Sequence, residues 1–447
     1  MGLDWAGRRL HFVGIGGAGM SGLALVAHAL GAQVTGSDRS AVSAYTASLL
    51  AAGIVPVEGQ AAANVPEGAE LVVSSAIPLE NPERAAGRER GLRELHRAQL
   101  LGELTRLKPT IAVTGTHGKT TTSSMIVHAL RGCGMDPSYL VGGEVRSTGA
   151  NAGWGSGEWL VVEADESDRS LLELAPRIAV VTNAELDHHA TYSSQRDVEA
   201  TFRAFLAPAE HAVVWDRPAL LALAGDGAEL WPFDATPGLS PGGSRFVLDG
   251  LDVELTVPGA HNALNAAAAL TACRAIGADV AAAAAALRDF SGAGRRFEHV
   301  GTTPEGALVV DDYAHHPTEV RATLEAARTL APRRLIAVFQ PHLFSRTRHQ
   351  AREFGAALAL ADLPVVTDIY PARERAEDHP GVSGRLVAEA AADAAGGRRV
   401  AWLPDFDSAE RFLRSELREG DLVLTLGAGD IDALGRRLVG PGRTPGG

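Results

Sequence analysis

The stretch Val113-Thr114-Gly115-Thr116-His117-Gly118-Lys119-Thr120-Thr121 decides how the middle of this chain folds. It starts within the apolar run Thr110–Thr114, which has the pattern of a buried strand, and a helix is expected after it. Strand, glycine-containing turn and helix in this order aim backbone N–H groups at a phosphate. A lysine here can reach a terminal phosphoryl group, and the hydroxyl beside it can bind Mg²⁺. The stretch therefore predicts an ATP site with these candidate residues: Gly115, Thr116, His117, Gly118, Lys119, Thr120 and Thr121.

Two features bear on this interpretation. Val113 stands where the common loop G-x-x-x-x-G-K-[ST] has its first glycine, which is a departure from the pattern. Lysine is otherwise almost absent, because Lys108 and Lys119 are the only two in 447 residues. An ordinary strand-to-helix turn is the alternative, and it would leave the lysine at position 119 unexplained.

A second glycine-rich stretch, Gly14-Ile15-Gly16-Gly17-Ala18-Gly19, follows the short apolar run Leu10–Val13. It fits G-x-G-x-x-G, in which missing Cβ atoms let a diphosphate approach the backbone. Asp38 ends the next predicted strand, near the ribose-binding position of this pattern. A tight structural turn is the alternative, and the stretch alone does not say which nucleotide binds. Alone it would suggest a dehydrogenase, but hydride transfer has no use for the triphosphate-type stretch at Lys119.

Composition sets the broad class of the protein. The chain is 46% hydrophobic and 21% charged, and its length suits about three domains with their own cores. Its formal net charge of −13 makes it a poor general binder of nucleic acid or anionic membrane, so we expect neither as a partner. Two cysteines, Cys133 and Cys273, cannot form a disulfide framework, which favours a cytoplasmic location. No apolar run reaches the length of a membrane span, and we expect a monomer or weak homodimer.

Apolar strands alternate with helices along the chain, which predicts an α/β fold with parallel sheets. We predict three domains: residues 1–106, Rossmann-like; 107–294, P-loop ATPase-like; and 295–447, doubly wound and Rossmann-like. A single polar helix is predicted over Arg88–Arg106. Asp249-Gly250, between two alternating runs, predicts a hairpin. The tail after Val439 is expected to be disordered.

Further polar stretches follow one another in a definite order: Glu163-Ala164-Asp165-Glu166-Ser167-Asp168, Thr182-Asn183 to Asp187-His188, His261-Asn262-Ala263-Leu264-Asn265-Ala266, Arg295-Arg296-Phe297-Glu298, Asp311–Glu319 and Phe339–Thr347. With Thr114–Thr122 they resemble the Mur ligases, which build the bacterial cell-wall peptide on a UDP-sugar. The resemblance implies an ATP-dependent amide-bond ligase of peptidoglycan precursor synthesis that requires ATP and Mg²⁺. It implies UDP-N-acetylmuramate and L-alanine as substrates, with the UDP-sugar bound by the first domain, ATP by the second, and the amino acid by the third.

The predicted metal ligands are Thr120, Glu163 and His188. Glu163 ends a strand expected beside that of the ATP stretch, where its carboxylate and the Thr120 hydroxyl can hold Mg²⁺. An imidazole would complete a mixed oxygen and nitrogen site. The resemblance implies His188 for this role, and its neighbour His189 is a rival.

Further ATP contacts come mainly from the resemblance. Asn262 and Asn265, near a helix start, can present amides to an adenine edge, as the resemblance implies. Helix capping is the alternative for Asn262, and it explains Asn265 less well. The resemblance also implies a phosphate contact for Arg296 and a ribose contact for Asp312, so that ATP would bridge a hinge that closes over the reaction.

Substrate residues are expected in the first and third domains. Open α/β sheets bind ligands at strand ends. The resemblance implies that five residues of the third domain bind the alanine and the muramyl carboxylate: Tyr313, His315, His316, His342 and Arg346. Solvated loops are the alternative, and a weaker second set comprises Asp368, Tyr370, Arg373 and Glu374. The UDP-sugar candidates are Gly14, Gly16, Gly17, Gly19, Asp38, Ser74 and Ser75.

Amide formation in water sets the roles of these groups. A carboxylate must first become an acyl phosphate, and a neutral amine then attacks it, which requires a base or a desolvating pocket; His315 is our candidate base. The catalytic candidates are Lys119, Glu163, His188, His315 and Arg346.

Some features depart from the family, and some rival functions remain open. Several Mur ligases carry a carbamylated lysine near a second Mg²⁺. In this chain Lys119 belongs to the ATP stretch and Lys108 precedes its strand, so neither of the two lysines is available for that role. Arg169 and Leu343 also depart from the residues we expect. The closest rival is a tripeptide-recycling ligase of the same family; the others are a folate polyglutamate ligase, a dehydrogenase and a non-catalytic ATP-binding regulator.

Overall fold

The computed structural model describes residues 5–40, 43, 45–188 and 191–440. They form two compact units. The first comprises the described residues up to Asp234 with Asn265–Leu287, and the second comprises Ala235–Leu264 with the described residues from Arg288 onward. His189 and the predicted tail from residue 441 lie outside the described residues. Within the described ranges, none of the helices combines the length and apolar character that a membrane crossing requires.

The first sheet carries the glycine stretch at the carboxyl end of its first strand. Its parallel strands are β1 (Arg9–Val13), β2 (Gln33–Asp38), β3 (Val57–Glu58), β4 (Glu70–Val73) and β5 (Glu94–His96). The helices with them are α1 (Ala18–Ala29), α2 (Thr46–Ala51), α3 (Pro82–Glu89) and α4 (Arg97–Leu104). The order β3-β2-β1-β4-β5 reverses between β1 and β4, and such a switch point opens a ligand-binding crevice. The Rossmann-like prediction is confirmed.

The predicted helix over Arg88–Arg106 is wrong. Helix α3 ends at Glu89, Gly91 follows with φ +65°, and the chain then forms β5 before α4 begins. Leu95 is the physical reason, because it is 4% exposed and pairs with Val72 of β4. Its burial in the sheet outweighs the local helix tendency of its polar neighbours.

The second sheet carries the ATP stretch at its centre. Its strands are β6 (Thr110–Thr114), β7 (Ser138–Val145), β8 (Ala150–Gly153), β9 (Leu160–Glu163), β10 (Ile178–Val181), β11 (His211–Trp215) and β12 (Glu229–Phe233), in the order β12-β11-β10-β6-β9-β7-β8. The helices are α5 (Lys119–Gly132), α6 (Gln195–Leu206), α7 (Pro218–Leu221), α8 (Ala260–Ala275) and α9 (Val280–Leu287). Only β8 runs antiparallel to its neighbour among these described strands. Glu163 pairs in register with Val113, which places it next to the ATP stretch.

The second unit contains a small antiparallel sheet and a larger one. The small sheet is β13 (Gly238–Ser240), β14 (Gly243–Leu248) and β15 (Leu251–Leu255). Asp249 and Gly250 form the predicted hairpin turn with φ of +51° and +81°, as a two-residue turn with a positive first φ requires. That prediction is confirmed.

The larger sheet of the second unit follows the order β16-β17-β21-β18-β19-β20, with strands β16 (Glu298–Thr302), β17 (Leu308–Asp312), β18 (Leu335–Phe339), β19 (Leu363–Val366), β20 (Ala401–Trp402) and β21 (Leu422–Leu426). Its helices are α10 (Pro317–Arg328), α11 (Phe344–Leu358), α12 (Arg385–Ala394), α13 (Phe406–Glu416) and α14 (Asp432–Val439). Phe339 and Val338 enter two different apolar clusters. Successive residues of β18 thus face opposite sides, so helices cover both faces, as in a doubly wound sheet.

Candidate active site

The ATP stretch leaves β6 as a turn that requires glycine at two positions. Gly115 has φ +137° and Gly118 has φ +81°, a region that other residues avoid. Helix α5 begins directly after Gly118, and its first turn receives no side-chain cap. Val113, where the common loop has its first glycine, is a fully buried residue of β6. The departure from the common pattern therefore falls on the strand and leaves the turn intact.

The ammonium group of Lys119 is held inside this turn. Its Nζ donates hydrogen bonds to the carbonyl oxygens of Gly115 (2.7 Å) and Thr116 (3.1 Å), and it pairs with Glu166 at 2.9 Å. Burial opposes the charge, but the carboxylates of Glu166 and Glu163 outweigh burial and raise the pKa of Lys119 above its ordinary value. Lys119 is therefore a fixed positive charge at neutral pH.

Thr120 and Glu163 meet beside Lys119. Thr120 Oγ1 donates to Glu163 Oε1 at 3.1 Å, and the N–H of Gly142 donates to Glu163 Oε2 at 2.7 Å. A hydroxyl and a carboxylate this close offer the hard oxygen ligands that Mg²⁺ prefers. The two residues fit a magnesium ion.

His188 contacts Glu166, a residue that the sequence analysis did not assign. His188 Nε2 lies 3.2 Å from Glu166 Oε1, and its backbone has φ +53°. Glu166 is 2% exposed and reaches Lys119 as well, so it links the imidazole to the ammonium. The available signal was a second glutamate three positions after Glu163. The role of His188 as a metal ligand stays a prediction.

The loop after β10 supports the turn. Asn183 accepts the N–H of His117 through Oδ1 and donates through Nδ2 to its carbonyl, both at 2.9 Å. Thr116 Oγ1 accepts from the N–H of Glu185 at 2.8 Å and donates to the carbonyl of Glu185 at 2.9 Å. Thr121 is buried within α5. Asn183 is thus a further residue that shapes the turn and that the sequence analysis left unassigned.

The two asparagines of α8 have different surroundings. Asn265 Oδ1 accepts from Thr122 Oγ1 at 3.3 Å, and its side chain lies closest to the place where a Cβ on Gly118 would stand. Asn262 Nδ2 donates to the carbonyl of Pro258 at 2.7 Å, which supports the start of the helix. Asn265 therefore touches the ATP turn directly, whereas Asn262 contacts the segment before its own helix; the adenine contacts of both residues stay predictions.

A cavity of about 320 Å³ in the first unit is lined by part of the glycine stretch and by Glu163, whose carboxylate contacts Thr120. Residues of both sheets line it, including Gly17, Ala18, Gly19, Ser74, Arg97, Glu163 and Asp165. At its edge, the N–H of Gly16 donates to Asp38 Oδ2 at 2.8 Å. Ser75 Oγ donates to Asp168 Oδ2 at 3.4 Å. The predicted sugar-nucleotide residues therefore lie in the same unit as Glu163.

Arg97 is a charged residue of this cavity that the sequence analysis missed. Its Nη2 donates to Asp165 Oδ2 at 2.7 Å and to Asp168 Oδ2 at 3.1 Å. Burial would raise the pKa of Asp165, but Arg97 and then Lys119 lower it to about 2. The two aspartates lie in the acidic stretch after Glu163, but Arg97, which pairs with them, lies 68 residues before Asp165 in the chain.

In the second unit, Asp312 ends β17 in a buried position. Its carboxylate accepts the N–H groups of Phe297 and Ala314, each at 2.8 Å. Burial raises the pKa of Asp312 to about 6, although Arg296 and these two N–H groups favour the charged form. Arg296 also lies over the ring of Tyr313, 5.0 Å from its centroid.

The second unit also brings His315, His342 and Arg346 together at its strand ends. The two imidazole centroids are 5.8 Å apart, and Arg346 Nη1 lies 3.2 Å from His342 Nδ1. His315 Nδ1 is 3.3 Å from Glu319 Oε2. Tyr370 of the weaker set stacks on His342. These residues form one cluster, and their roles stay predictions.

His316 stands apart from this cluster in its bonding. Its Nδ1 accepts the N–H of Thr318 at 3.3 Å as the cap of α10, and its Nε2 lies 3.0 Å from Gln350 Nε2. Glu374 likewise accepts the N–H of Ser345 at 2.9 Å, at the start of α11. Both side chains therefore support helix starts.

Replacing Asp312 by asparagine should remove a pH dependence of stability. The pKa of Asp312 is about 6 in the folded chain against an ordinary 3.8. The folded state thus binds more protons between these values, so the contribution of Asp312 is complete below the lower value and lost as the pH rises through the upper one. We expect the unfolding free energy of the wild type, minus that of Asp312→Asn, to fall by about 1 kcal/mol from about pH 5 to about pH 7. Urea denaturation measures it, and a difference that rises with pH would contradict the shift.

Three consecutive family models match the chain. The Mur ligase family, catalytic domain, matches residues 9–109; the Mur ligase middle domain matches residues 113–273; and the Mur ligase, glutamate ligase domain matches residues 295–429. The chain belongs to the Mur ligase family, and it is an ATP-dependent ligase. The resemblance and the three-domain α/β fold are confirmed.

Relatives and solved structures match nearly the whole length of the chain. UDP-N-acetylmuramate–L-alanine ligase from Renibacterium salmoninarum is 44% identical over 98% of this chain and 96% of its own length, and that from Rubrobacter xylanophilus is 45% identical over 96% and 99%. The solved structure of UDP-N-acetylmuramate–alanine ligase from Thermotoga maritima matches with a TM-score of 0.82 and 29% identity over 96% of this chain and 98% of that one. A murein peptide ligase from Psychrobacter arcticus gives 0.72 and 25%, over 97% and 98%.

Proposed function

We propose that this chain joins L-alanine to the lactyl carboxylate of UDP-N-acetylmuramate and converts ATP to ADP and phosphate through an acyl phosphate. The observation that carries the proposal is the contact between Thr120, which follows Lys119 at the start of α5, and Glu163 at the end of β9; Glu163 also lines the cavity that Gly17 and Gly19 line. The names of the relatives supply the two substrates. We retain residues 106 and 294 as the proposed ends of the first and second domains.

The first step makes the carboxylate reactive. A lactyl carboxylate oxygen attacks the γ-phosphorus of ATP, and the bond from that phosphorus to the ADP oxygen breaks. Lys119 places a fixed positive charge near the transferred group, and preorganised charge is the main source of catalysis in phosphoryl transfer. Thr120, Glu163 and His188 would hold Mg²⁺, which supplies further positive charge at the phosphates.

The second step forms the amide bond. The neutral amine of L-alanine attacks the carbonyl carbon of the acyl phosphate, and phosphate leaves from the tetrahedral intermediate. His315 Nδ1 faces the Tyr313 carbonyl at 3.0 Å and Glu319 at 3.3 Å, so we assign the amine proton to Nε2. Arg346 and His342 would bind the alanine carboxylate.

The remaining proposed contacts divide between the two nucleotides. Asn262, Asn265, Arg296 and Asp312 stay proposed ATP contacts, as do the residues of Gly115–Thr121. Gly14–Gly19, Asp38, Ser74 and Ser75 would bind the UDP-sugar, and Tyr313 and His316 would lie near the muramyl group.

Phosphate release from ATP tests the proposed function directly. With UDP-N-acetylmuramate present, we expect release to depend on L-alanine and to produce UDP-N-acetylmuramoyl-alanine by mass spectrometry. Reactions without the sugar nucleotide, and with glycine or a preformed tripeptide in place of alanine, serve as controls. Turnover that prefers the tripeptide would replace the proposal by the recycling reaction, and phosphate release without either amine acceptor would contradict both.

A further inference from the structure

A buried carboxylate lies behind the glycine stretch of the first sheet. Glu83, in the first turn of α3, is 0% exposed. Its Oε2 accepts from Ser37 Oγ at 2.6 Å, and its Oε1 accepts from Asn64 Nδ2 at 2.7 Å and from the N–H of Ala61 at 3.2 Å. His11 Nε2 lies 3.4 Å from Oε2. One carboxylate thus joins β1, the end of β2, the segment at 61–64 and α3.

The contacts of Ser37 lead from this carboxylate to the glycine stretch. While its hydroxyl binds Glu83, its carbonyl accepts the N–H groups of Gly14 at 2.8 Å and Ile15 at 3.0 Å. The next residue of β2, Asp38, accepts the N–H of Gly16. The first part of the glycine stretch therefore rests on the end of β2, and Glu83 holds that end from the other side.

Stability alone does not explain a charge at this place. An apolar side chain of similar volume is often as stabilising as a buried ion pair. Burial opposes the charged form of Glu83, but the bonds from His11, Ser37 and Asn64 outweigh it and keep the pKa of Glu83 below its ordinary value. The carboxylate is therefore charged, fully bonded and placed where it fixes the geometry of a loop.

We infer that Glu83 is a positioning residue: through Ser37 it holds Gly14–Gly16 against the end of β2, and it thereby sets the position of the start of α1, which has no side-chain cap and would receive the diphosphate of the sugar nucleotide. Pre-set donors bind a ligand more tightly than donors that must be ordered on binding. The inference rests on the proposed function, because it takes UDP-N-acetylmuramate as the ligand of the glycine stretch.

Glu83→Gln tests this role with little change of shape. In either orientation, the new amide leaves one donor facing another, because both carboxylate oxygens accept hydrogen bonds in the wild type. We expect faster hydrogen exchange at the amides of Gly14, Ile15 and Gly16, and a KM for UDP-N-acetylmuramate raised at least about tenfold. The KM values for ATP and L-alanine should stay within about twofold of the wild type.

Glu70→Gln is the matched control. Glu70 begins β4 at the opposite end of the same sheet and pairs with Arg8 at 2.8 Å. We expect this variant to lose stability without faster exchange at the glycine stretch and without a change in the KM for the sugar nucleotide. If Glu70→Gln raises that KM as much as Glu83→Gln, general destabilisation is the cause and the inference is overturned.

A second variant, Ser37→Ala, and a direct binding measurement by calorimetry complete the test. If Glu83→Gln does not fold, Ser37→Ala removes the hydroxyl that joins Glu83 to the loop and should show the same exchange and KM effects in weaker form; unchanged values overturn the inference. Calorimetry with UDP-N-acetylmuramate separates the two proposals. If the wild type and Glu83→Gln bind UDP-N-acetylmuramate with equal affinity, only the positioning role is overturned. If the wild type does not bind UDP-N-acetylmuramate at all, the proposed function is overturned as well.

Discussion

Lys119→Ala should lower kcat by about 10³-fold, or about 4 kcal/mol of transition-state stabilisation. The ammonium is fixed by the carbonyl groups of Gly115 and Thr116 and by Glu166, so its position is set before any ligand binds. Charge that is already in place lowers the barrier of phosphoryl transfer without a reorganisation cost. Steady-state phosphate release at saturating substrates measures kcat, and thermal unfolding shows whether the variant is folded.

Lys108→Ala is the matched control, because it removes the other lysine of the chain. Lys108 Nζ donates to Ser138 Oγ at 2.9 Å and to the carbonyl oxygens of Gly155 and Gly157, each at 2.7 Å. We expect a loss of about 2 kcal/mol in unfolding free energy and a kcat within about twofold of the wild type. If Lys119→Ala retains a kcat within about tenfold of the wild type, or if Lys108→Ala loses as much, the assigned role of Lys119 is wrong.

Local patterns were enough to predict much of the fold. Thr110–Thr114 is a continuous apolar run that ends in a glycine turn, and it forms the central strand of the second sheet. Asp249 and Gly250 form the predicted hairpin because a two-residue turn depends on those residues and on the alternating runs directly beside them. Leu95 shows the limit of such patterns. Its strand exists because β4 lies beside it, and nothing in the local sequence around Arg88–Arg106 shows that partner.

The same distinction applies to the candidate site. Lys119 and Thr120 could be predicted because they lie in one stretch with the spacing of a phosphate-binding loop. Glu163 could be predicted because it ends a strand expected beside the strand of that stretch. Arg97 was not predicted, because its aspartate partners are about 70 residues away in the sequence. Glu166 lies in the same acidic stretch as Glu163, but only the folded chain shows that it contacts both Lys119 and His188.

Glu163→Gln is the second change from which we expect a large effect. The carboxylate binds the Thr120 hydroxyl through one oxygen and the N–H of Gly142 through the other. The amide keeps this shape but removes the negative charge that a divalent cation requires of its ligands. We expect kcat to fall by about 10²-fold or more, and the Mg²⁺ concentration for half-maximal activity to rise by about tenfold or more.

Magnesium titrations of the wild type, Glu163→Gln and Glu158→Gln distinguish a metal ligand from a nearby charge. Glu158 is exposed just before the same strand β9, so its loss changes the net charge by the same amount away from the turn. We expect Glu158→Gln to follow the wild-type curve. A lower kcat in Glu163→Gln with an unchanged Mg²⁺ requirement would show that the carboxylate acts through Thr120 and Gly142, by holding the turn, and would remove Glu163 from the metal site.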